Sequence, residues 1–75
     1  MDNSVMFDRL VNVFRHCSLD YLPIFFGTTT LRDLIAIKWL IELGLIHVDN
    51  IKYNHLKEYV ETSINNTPNE YFFGY

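Results

Sequence analysis

Residues 31–46 read LRDLIAIKWLIELGLI. This is one helix, apolar on almost every side and closed by Gly44. Projected at 100° per residue, Leu34, Ile37, Leu40 and Ile41 make a strong apolar face. Arg32, Lys38 and Glu42 fall on the opposite side. Ile35 and Trp39 fall among those charges. The spacing therefore predicts a central helix with a second, smaller apolar feature on its charged side. An aromatic anchor with a charged rim is the usual composition of a protein-binding hot spot.

The segments before it read as shorter helices. Residues 4–16 form an amphipathic helix, with Met6, Phe7, Leu10, Val13 and Phe14 at helical spacing. Asp8, Arg9, Asn12, Arg15 and His16 occupy one arc of about 120°. Asn3 or Ser4 is the expected N-cap. Ser18 is expected to cap a short helix carrying Leu19, Leu22, Ile24, Phe25 and Phe26, with Asp20 in its first turn. Gly27 is expected to end that helix in a left-handed conformation. Thr30, with Asp33 three residues on, approximates a capping box for the central helix.

Beyond Gly44 the pattern changes. Leu45-Ile46-His47-Val48 and Ile51-Lys52-Tyr53 are short β-favouring runs around Asp49-Asn50, a turn-tolerant pair. They predict a small hairpin over 45–53. Asn54 is the expected cap of a last helix to about Ile64. Leu56, Tyr59, Val60 and Ile64 face inward there, with Lys57, Glu58 and Glu61 outward. The expectation is a mainly α, four-helix domain over 1–67, followed by an aromatic tail over 68–75.

The order of short helix, long helix ending WLIELGLI, and hairpin HVDNIKYNHL resembles the winged-helix fold over residues 19–56. That resemblance implies a wing directly after the third helix. It also implies DNA binding by a transcriptional regulator, with Thr28, Thr29, Thr30, Arg32, Lys38 and Lys52 toward the nucleic acid. AIKWLIELG is also similar to the second helix of an ankyrin repeat. However, the Thr-Pro-Leu-His signature is missing, and 75 residues cannot stack three units of about 33.

Composition bounds the function. The chain is 49% hydrophobic and 16% aromatic, which excludes a disordered polymer and exceeds what so small a core encloses. Six Lys/Arg against nine Asp/Glu give a net charge of −3, the wrong sign for a nucleic-acid footprint. Small acidic proteins can instead block nucleic-acid-binding proteins by occupying their basic clefts.

The single cysteine, Cys17, fits a reducing compartment and a core position. The N-terminal residues MDNSVMFDRL carry no signal-peptide pattern, and no run is long enough to span a bilayer. The expected location is cytoplasmic. His16, Cys17, His47 and His55 lack metal-ligand spacing. No Gly-rich phosphate loop and no paired carboxylates appear. The expectation is thus no enzyme, no metal and no cofactor.

What remains is an intracellular protein-binding module, an accessory, adaptor or inhibitor that binds a protein partner or forms a homodimer. The expected contact residues are Arg32, Ile35, Lys38, Trp39, Glu42, Tyr71, Phe72, Phe73 and Tyr75. The aromatic tail either folds back on its own core or docks on a partner.

Overall fold

The computed structural model describes residues 3–66, with side-chain placement from Met6 onward. The tail over 68–75, with Tyr71, Phe72, Phe73 and Tyr75, lies outside the described residues. Four α-helices follow in order: α1 (Asn3–His16), α2 (Leu22–Thr28), α3 (Leu31–Glu42) and α4 (Asn50–Asn66). A 3-10 turn over Leu19–Tyr21 leads into α2. The domain is mainly helical, as its periodicity predicts.

One core joins all four helices. Val11 and Phe14 come from α1, and Leu22, Phe25 and Phe26 from α2. Leu34 and Ile37 come from α3, and Leu56 and Val60 from α4. Leu40, Ile41 and Ile35 are half-buried and pack against this cluster. Aromatic rings knit the α1–α2–α4 side. Phe14 and Phe25 lie 5.7 Å apart between centroids, and Phe26 stacks on Tyr59 at 4.8 Å. On α1 the inward face is Phe7, Leu10, Val11 and Phe14. Met6 and Val13, expected inward, sit at its edges and are exposed. The five polar residues of the opposite arc are all exposed.

Capping explains the boundaries of α3. The Thr30 hydroxyl accepts from the Asp33 backbone N–H at 3.2 Å, the bond that the Thr-x-x-Asp spacing predicts. At the other end Gly44 has φ +78°, the left-handed value open to glycine. The Gly44 N–H donates to the Ile41 carbonyl, and the Leu45 N–H donates to the Leu40 carbonyl at 2.9 Å. This pair of bonds is a Schellman motif, which satisfies carbonyls that the ended helix would strand.

The structure corrects four local expectations. No strand exists among the described residues, so the hairpin over 45–53 is absent, and with it the wing of the winged-helix resemblance. An isolated two-stranded hairpin is marginal in water. The helical alternative buries Lys52, Leu56 and Val60, which recur every four residues down one face of α4. Ile46 and Val48 still pack against the core, from a loop.

Asn54 is therefore not the cap. Asp49 is, its carboxylate accepting from the Lys52 N–H at 2.8 Å. Gly27 does not end α2. The helix runs one residue further, and the Thr28 hydroxyl donates to the Ile24 and Phe25 carbonyls at 3.0 and 3.2 Å. Finally, Ser18 precedes the 3-10 turn with no side-chain capping bond. Pro23 then falls in the first turn of α2, where its missing N–H costs nothing.

Candidate functional site

Three exposed apolar side chains lie on the solvent face of α3 and just beyond its end. Trp39 is 59% exposed, Leu43 is 73% exposed and Leu45 is 67% exposed. At 100° per residue, Arg32, Ile35, Ala36, Glu42 and Leu43 all fall within about 60° of Trp39. They form one stripe, opposite the Leu34–Ile37 face that fills the core. Of the pair expected to make an apolar knob, only Trp39 projects. Ile35 is half-buried and leans on the core.

The charged rim is ordered. Lys38 and Glu42, one turn apart, form an ion pair at 2.9 Å. The Tyr53 hydroxyl, from α4, donates to the same Glu42 oxygen, Oε2, at 2.6 Å. These bonds hold the Glu42 carboxyl below its ordinary pKa, the Tyr53 bond being the larger cause and the Lys38 bond the second. The same bond raises the Tyr53 phenol, because the ionised form could not donate to a carboxylate. Glu42 thus stays anionic and oriented, and ties α3 to α4. Arg32, at the other end of the stripe, is exposed and has no ion-pair or hydrogen-bond partner among the described residues.

The residues of the DNA-facing set lie elsewhere or are otherwise engaged. Thr28 and Thr30 use their hydroxyls to finish α2 and start α3. Thr29 is half-buried between them. Lys52 is 6% exposed, and its ammonium donates to the Arg15 carbonyl at 2.8 Å. That contact caps the end of α1, and the ammonium also lies 6.0 Å from the centre of the Phe14 ring. Of that set only Arg32 sits on the stripe, and Lys38 flanks it in the charged rim. Sequence reasoning missed this use of Lys52. The i, i+4, i+8 spacing of Lys52, Leu56 and Val60 was the available signal.

A concavity lies between α2 and α4, lined by Pro23, Phe26, His55, Glu58, Tyr59 and Thr62. It is open and mostly apolar. Among the described residues, no group of three or more His, Cys, Asp or Glu side chains is placed to hold a metal ion. Cys17 packs against the core, half-buried, with its thiol donating to the Phe14 carbonyl at 3.5 Å. No helix among the described residues is long and apolar enough to cross a membrane. No protein-family model, curated protein or solved structure shows significant similarity to this chain.

Proposed function

We propose that this protein is a non-enzymatic binding module, a small accessory, adaptor or inhibitor protein that engages a protein partner through the solvent face of α3. One observation carries the reading. Trp39, the largest side-chain type, stands 59% exposed on a rigid helix in line with Leu43. Tryptophan is one of the residues enriched among binding anchors, and in water its large apolar area stays unburied. The rim of Arg32, Lys38 and Glu42 supplies polar selectivity around it. The net charge of −3 favours a protein partner over a polyanion.

The test is a photo-crosslinking residue in place of Leu43, in otherwise native chain. The expected result is a defined polypeptide adduct that a folded Trp39→Ala version fails to give. Adducts that ignore Trp39→Ala, or salt-dependent retention of the protein on DNA-cellulose, would overturn the reading.

A further inference from the structure

We infer that the partner of the α3 face is a second copy of this chain, its α3 packed antiparallel through the Trp39 stripe, with the two-fold axis crossing the helix at the level of residue 37. The inference rests on the protein-binding reading above and names its occupant.

Two features of the stripe point to self-pairing. The first is the order of charge. Arg32 is the second residue of α3 and Glu42 is the last. A cation at a helix start and an anion at a helix end both oppose the helix dipole. Asp33 complements the start, yet the last turn holds no basic residue. Within one chain neither Arg32 nor Glu42 is favoured by the dipole at its own end. Across an antiparallel pair the arrangement becomes complementary. A two-fold axis crossing the stripe at the level of residue 37 sets residue i of one copy against residue 74 − i of the other, so Arg32 of each meets Glu42 of its mate. Both contacts of Glu42 within the chain fall on Oε2, so Oε1 remains available to a guanidinium. Arg32, exposed and without a partner among the described residues, is the matching donor.

The second feature is the order of size. On the same axis Trp39 of each copy lies over Ile35 of the other, with the small Ala36 beside it, and Leu43 lies over Leu31 next to the stem of Arg32. A large ring seated where a half-buried side chain and a small neighbour leave a groove is how facing helices interdigitate. The contact is isologous, so one patch has to complement itself. The stripe does so in charge and in volume. A head-to-head parallel pair would instead set Arg32 on Arg32 and Glu42 on Glu42.

The test is sedimentation equilibrium on the whole chain, with circular dichroism as the folding control. Wild type should dimerise, and Trp39→Ala should weaken dimerisation by about 30-fold or more, the loss of a hot spot. Arg32→Glu alone and Glu42→Arg alone should each be more monomeric than wild type while still helical. Mixed in equal amounts, those two variants should recover a heterodimer, because each then meets the opposite charge. Recovery in the mixture is something a merely misfolded variant could not show.

A wild type that stays monomeric at 100 μM, a concentration on the order of those used to detect weak dimers, overturns the second-copy inference. So does a dimer that is indifferent to both charge reversals. If the Leu43 crosslinker then still captures a different polypeptide in a Trp39-dependent way, the protein-binding reading stands without the dimer. If it captures nothing, both fall.

Discussion

Lys52 shows how one side chain can serve the fold in a way its type conceals. Lysine is almost never buried without a partner. Here the side chain is buried, and its ammonium, near the Phe14 ring, reaches the open carbonyl of Arg15 at the end of α1. A charge-assisted bond to a helix C-terminus is favourable twice, as a hydrogen bond and against the dipole. Replacing Lys52 by Ala removes both and leaves a cavity. A loss of about 2–3 kcal/mol in chemical unfolding is expected. Lys52→Met keeps the stem and should cost less than the Ala variant. If the two cost the same, the bond rather than the packing dominates.

Two glycines of one chain should respond in opposite directions to the same substitution. Gly44 has φ +78°, and a Cβ there would meet nothing within 4 Å. The penalty of Gly44→Ala is thus purely conformational, about 1–2 kcal/mol of stability. Gly27 lies inside α2 at an ordinary helical φ, also with open space around a Cβ. Gly27→Ala should stabilise by up to about 1 kcal/mol, since glycine is the poorer helix former. Thermal melts of the two variants check both signs.

Elements were placed by their ends as much as by their faces. The α3 boundaries follow from Thr30 and Gly44, residues with a local physical role that needs no tertiary partner. The α4 start did not follow in the same way. Asn54 and Asp49 are both competent caps. Choosing Asp49 adds a turn to α4 and brings Lys52 to Arg15, a contact 37 residues apart in sequence. The short β-favouring runs around Asp49 lose to that gain. Intrinsic strand preference spans only about 1 kcal/mol and yields to packing.

For the molecule as a whole, the Tyr53–Glu42–Lys38 linkage joins α3 to α4 beside the proposed binding face. Its pH window follows from the two shifts. Glu42 is lowered on folding, so its contribution is present above the ordinary carboxylate value and is lost as pH falls through the folded one. Tyr53 is raised, so its contribution is present below the ordinary phenol value and is lost as pH rises through the folded one. Stability of wild type relative to Tyr53→Phe should therefore be flat across neutral pH and converge at both extremes. A difference that does not shrink as pH falls through and beyond the ordinary carboxylate range would contradict the Glu42 role.

Trp39 belongs to this scale too. It is 59% exposed, so Trp39→Ala should change the unfolding free energy of the monomer by less than about 1 kcal/mol, far below the 3–5 of a core aromatic. A large drop measured at dilute, monomeric concentration would make it a core residue after all.

The helical class, the inward face of α3 and its caps were legible in the sequence, and the inward face of α1 in part, through Phe7, Leu10 and Phe14 but not Val11. Each depends on residues within one or two turns of one another, where 3.6-residue periodicity and backbone capping act. The stripe of Trp39 among Arg32, Lys38 and Glu42 was legible for the same reason. Tertiary structure alone decided the rest. It turned Ile35 toward the core and left Trp39 out, replaced a hairpin by an extra turn of α4, and folded Lys52 inward. In each case the deciding partner lies on another helix, and the free energy gained by burial or by a buried hydrogen bond exceeds the weak local preference it overrides.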